Sequence, residues 1–100
     1  MLAAAAVAGC AQLPPRTEEQ LAGRTVRYVC SDNTVFLAQF NADASAVRLT
    51  FSDRQLLLTQ RASTDAFLRY NDGQTGFGTN GREAVVADQI RIVHGDCRAG

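Results

Sequence analysis

The chain has 100 residues, enough for one domain, and at 46% hydrophobic and 20% charged it is composed like a globular protein, not a disordered one. Ten basic and ten acidic residues cancel, which removes any electrostatic ground for nucleic acid or an anionic surface as the partner. All ten basic residues are arginine, and lysine is absent.

The first ten residues, MLAAAAVAGC, differ in kind from the rest. A short run of small apolar residues reads as an export signal, and it is too short to span a bilayer. Val7-Ala8-Gly9-Cys10 resembles the lipobox of bacterial lipoproteins. That resemblance implies cleavage before Cys10 and acylation of Cys10, and hence anchoring to a membrane through lipid. Residues 1–9 are then the signal and residues 10–23 a lipid-anchored linker. Pro14-Pro15 favours an extended path in that linker, while Thr17-Glu18-Glu19-Gln20 has the form of a capping box that allows one helical turn. An exported chain meets an oxidising compartment, so the two remaining cysteines, Cys30 and Cys97, are expected to pair. Two Cys and one His without a close pair lack zinc spacing, and no cofactor or metal is expected.

From Arg24 the hydrophobic period becomes two. Val26, Tyr28 and Cys30 share one face, as do Phe36, Ala38 and Phe40, and then Val47, Leu49 and Phe51. Further short runs follow at Gln55 to Thr59, Phe67 to Tyr70, Glu83 to Ala87 and Gln89 to Val93, with turn residues between them. Short strands at intervals of about ten residues predict an antiparallel barrel or sandwich over residues 24–100.

Gly76 to Gly81, GFGTNG, spells a dinucleotide-binding fingerprint. That motif needs a buried strand before it, a helix after it and an acidic residue about 20 positions on. Here a turn precedes it, a strand follows it, and 19 residues remain. The stretch therefore reads as a strand end and a hairpin, with Asn80-Gly81 suited to a two-residue type I′ turn. No enzyme is indicated: His94 stands alone, Ser63 and Asp65 fit loop chemistry, and Asp72, Asp88 and Asp96 each fit a turn.

From Tyr28 to Cys97 the chain resembles the membrane-bound inhibitors of C-type lysozyme, a family of bacterial envelope lipoproteins. The matching features, in order, are Tyr28-Val29-Cys30 with an Asp-Asn turn, Leu57 to Gln60, Arg69-Tyr70-Asn71-Asp72-Gly73, Phe77 to Gly81 leading into Glu83-Ala84, and a last strand ending near Cys97. The resemblance implies an all-β fold, a small antiparallel β-barrel of seven to eight strands with a Cys30–Cys97 bridge. It also implies a periplasm-facing protein whose loops enter the active cleft of a C-type lysozyme. In the family a Ser and a Lys make the cleft contacts; here Ala66 and Asn80 stand in their places. The candidate contact positions are thus Ala66, Arg69, Tyr70, Asn80 and Arg82, with Arg82 the available cation beside Asn80. A chain lacking both contacts also fits a non-inhibitory envelope lipoprotein with a structural or ligand-binding role.

Overall fold

The computed structural model describes residues 17–62, 67–88 and 92–100. Eight antiparallel strands form a closed up-and-down barrel, each bonded to its neighbour in sequence and β8 returning to β1. They are β1 (Thr25–Val29), β2 (Val35–Phe40), β3 (Ala46–Thr50), β4 (Gln55–Arg61), β5 (Leu68–Asn71), β6 (Gly76–Thr79), β7 (Glu83–Ala87) and β8 (Ile92–Ala99). This is the all-β barrel expected, and closure removes the free sheet edges that would otherwise template aggregation.

The strict alternation along β2, exposed then buried through Phe40, is what a strand with one face in a core requires. Six of the seven aromatic residues point inward: Tyr28, Phe36, Phe40, Phe51, Tyr70 and Phe77 are all buried. Their ring centroids lie 5.0–6.4 Å apart in stacked, tilted and edge contacts. In an eight-stranded barrel side chains of this size fill the interior. Val47, Leu49, Leu58 and Val86 complete the core. Cys30 and Cys97 are disulfide-bonded, joining the end of β1 to β8 next to the seam that closes the barrel.

Thr17–Leu21 forms the helical turn that the capping box allows, α1, and it packs on one end of the barrel. Leu21 is buried in the core, Glu18 accepts a hydrogen bond from the Gln60 amide at 2.9 Å, and Gly23, at positive φ, donates to the Asn41 carbonyl. Glycine is the usual residue for that left-handed exit from a helix. The last strand extends past Val93, where alternation alone ends it, and beyond the Cys97 end that the resemblance implies. Residues 89–91 lie outside the described residues, and β8 continues through Gly95-Asp96 to Ala99. Asp96 takes positive φ and the β7–β8 register shifts there, so a bulge passes through residues that read as a turn.

Candidate functional site

An up-and-down barrel places alternate connections at opposite ends. The β2–β3, β4–β5 and β6–β7 connections share one pole with α1, and the register Leu68↔Thr79 sets the start of β5 beside the β6–β7 hairpin. The fold therefore brings Phe67 and Leu68, the described residues just before Arg69, to the same pole as Asn80. Ala66 lies outside the described residues, as do Ser63, Asp65 and Cys10.

The hairpin is held from within. Thr79 is fully buried, the one buried polar residue among the described residues. Its hydroxyl lies 2.7 Å from the Tyr28 hydroxyl, donates to the Glu83 carbonyl at 2.8 Å and accepts the Gly81 N–H at 2.9 Å. The Tyr28 hydroxyl donates to the Gly81 carbonyl at 2.9 Å. With the Thr79 proton on the Glu83 carbonyl, the Tyr28 proton is shared between the Gly81 carbonyl and Thr79 Oγ1, and the backbone of 81–83 is held from the barrel interior. Burial raises the Tyr28 pKa above its ordinary value, which keeps the phenol a donor.

The turn differs from the type I′ reading. Asn80 N–H donates to the Glu83 carbonyl, so Gly81 and Arg82 are the central pair, and only Gly81 has positive φ, at 98°. Glycine at the first central position is the type II′ pattern. Asn80 is consumed in making this turn. Its Oδ1 accepts the Arg82 and Glu83 N–H groups at 3.0 and 2.8 Å, and its Nδ2 reaches Glu83 Oε1 at 3.3 Å. Arg82 is exposed at the tip. Arg24, Arg82 and Arg98 border one open depression with Asn80, Gly81 and Leu21. Arg98 lies 3.6 Å from Glu83 within it and 3.6 Å from Asp96 outside it.

The other two candidate residues sit elsewhere. Tyr70 is not a surface residue: it is 1% exposed inside the barrel, and its hydroxyl donates to the Ala44 carbonyl at 2.6 Å. It braces the β2–β3 loop, where Ala44 is held at positive φ. Strand alternation explains the correction, since Leu68 and Tyr70 face in while Arg69 faces out. Arg69 lies along the outer wall across Gly78, with its Nη1 3.4 Å from where a Cβ on Gly78 would stand. His94 is at the far pole, its Nδ1 2.8 Å from Asp32 Oδ2 and its ring against Phe51. That bond, followed by one from the Thr34 N–H, lowers the Asp32 pKa to about 2.

Sequence reasoning missed the Tyr28–Thr79 pair, although the signal was present. Once Phe77 is assigned to the core, period two sends Thr79 inward as well.

Comparison with curated proteins and with solved structures finds no match. A family model described as membrane-bound lysozyme-inhibitor of c-type lysozyme matches residues 28–92, from β1 to the first residue of β8. With that match over most of an eight-stranded, disulfide-closed barrel, the chain belongs to the family of membrane-bound inhibitors of C-type lysozyme.

Proposed function

We propose that this protein is an exported, lipid-anchored inhibitor of C-type lysozyme that turns its hairpin pole toward the lysozyme active cleft. Family membership is the observation that carries the reading. Residues 1–9 act as the export signal, Cys10 carries the lipid, and the following segment holds the barrel on the periplasmic side. The family's Ser and Lys are replaced by Ala66 and Asn80, and the Asn80 amide is already occupied within the turn. The cleft contact therefore passes to Arg82, exposed at the hairpin tip with Arg24 in the wall beside it. A guanidinium facing carboxylates makes charge-assisted bonds about twice as strong as neutral ones.

Titration of the disulfide-bonded chain against a C-type lysozyme, read by residual lytic activity, tests this. Inhibition at nanomolar to micromolar levels is expected. No inhibition at about 50 μM, roughly −6 kcal/mol of binding, from a folded chain overturns it.

The loss of both family contacts favours a second reading, a non-inhibitory envelope lipoprotein. The aromatic core fills the barrel, so a ligand in this reading binds the outside. Ala66→Ser combined with Asn80→Lys discriminates the two. A gain of inhibition from none points to an intact scaffold that has lost its contacts.

A further inference from the structure

The buried hydroxyls of Tyr28 and Thr79 have a role that packing alone does not require. A barrel core filled by rings and aliphatic side chains is complete without them, and what separates threonine from a valine of like shape is the hydroxyl alone. Both hydroxyls instead terminate on the backbone of one short segment, Gly81 to Glu83. That segment is the exposed hairpin, and its second central residue is Arg82. The remaining N–H groups of the turn, on Arg82 and Glu83, are taken by Asn80. Leu21 of α1 closes the site from outside, with Cδ2 3.9 Å from where a Cβ on Gly81 would stand. Each polar group of the hairpin backbone named here is thus bonded to a side chain fixed by the core or by the turn itself.

We infer that Tyr28 and Thr79 are positioning residues that lock the backbone of the β6–β7 hairpin in one conformation before it meets its target, so that Arg82 is presented without a backbone ordering penalty on binding. A loop held in its bound form gains affinity because less conformational freedom is lost on association. The gain appears mainly as slower dissociation. The use of the lock in binding rests on the lysozyme reading above; the lock itself does not.

The test compares the full disulfide-bonded chain with Thr79→Val, Thr79→Ser and Tyr28→Phe. Tyr28→Phe leaves every Thr79 bond to the backbone in place and is the milder change should Thr79→Val fail to fold. Amide hydrogen exchange at Gly81 and Glu83 reads the hairpin directly. Thr79→Val is expected to speed exchange at Gly81 roughly fivefold, the worth of one net hydrogen bond, with Tyr28→Phe intermediate and Thr79→Ser close to the parent. Surface-binding kinetics against a C-type lysozyme then read the consequence. Dissociation is expected to quicken by a similar factor in Thr79→Val, with association unchanged and Thr79→Ser restoring the parent rate. Unchanged exchange at Gly81 in a folded Thr79→Val or Tyr28→Phe overturns the lock, whether or not lysozyme binds. Faster exchange with unaltered dissociation overturns its part in binding. If the parent binds no lysozyme while exchange responds as expected, the functional reading falls and the lock stands.

Discussion

Asn80 and Arg82 are neighbours in one turn, yet the hydrogen bonds divide their work. Asn80 gives both ends of its amide to the hairpin, whereas Arg82 contributes its backbone N–H and leaves its side chain at the surface. Arg82→Ala should therefore lower lysozyme inhibition with little effect on folding. Removing a charged contact buried at an interface costs about 2–5 kcal/mol, roughly one and a half to four decades in affinity; an inhibition titration beside a thermal melt measures both. Asn80→Ala should do the reverse in the melt, destabilising the fold by about 1 kcal/mol through two unpaired N–H groups. Two titrating residues illustrate how stability depends on pH. The folded pKa of Asp32, about 2, lies below its ordinary 3.8, so its contribution is fully present above about pH 4 and is lost as pH falls toward 2. Tyr70 is the opposite case, raised from 10.0 to about 12 by burial first and by the charge of Glu18 next. Its contribution holds below pH 10.0 and is lost as pH rises through about 12. Unfolding midpoints measured against pH should show a shallower acid limb in Asp32→Asn and a shallower alkaline limb in Tyr70→Phe.

At the scale of elements, α1 is the piece whose importance is largest for its length. Five residues would not hold a helix in water unaided, so its order comes from docking: Leu21 in the core, Glu18 on Gln60, and Gly23 on Asn41. Leu21→Ala should destabilise the barrel by about 2 kcal/mol, the low end for a buried leucine because the site lies at a barrel end. It should also loosen the hairpin that Leu21 covers, seen as faster exchange at Gly81. The capping-box pattern was legible in sequence, but whether such a turn floats in a linker or packs depends on one leucine finding a surface. No local pattern records that surface. The strand β8 repeats the lesson. Asp96 reads as a turn residue, and only its place in a bulge, with partners of β8 on β7 and β1 to either side, keeps it within a strand.

For the molecule as a whole, the Cys30–Cys97 bridge spans 67 positions and ties β1 to β8 where the barrel closes. In the chain-entropy account a loop of this length contributes about 4 kcal/mol, a large share of what so small a domain has. Denaturant midpoints with and without reductant should differ accordingly, and hairpin-dependent inhibition should fall only when the barrel opens. Much of this architecture was readable beforehand. Alternating core positions in β1 to β3 and turn residues every ten positions specify an antiparallel barrel or sandwich, and the two cysteines suit a bridge if the chain is exported, because side-chain period and cysteine count are local or compositional properties. The family's order of motifs was likewise written in the chain from Tyr28 to Cys97. Alternation relates the faces of neighbouring motif residues, but which residues meet across the barrel was decided only by the tertiary structure. Register turned Tyr70 inward and Arg69 outward, drew Thr79 beneath its hairpin, and set Gly81-Arg82 rather than Asn80-Gly81 at the turn centre. These are outcomes of closing eight strands at once, since hydrogen bonds between residues about fifty positions apart, such as Tyr28 and Thr79, exist only when the barrel does.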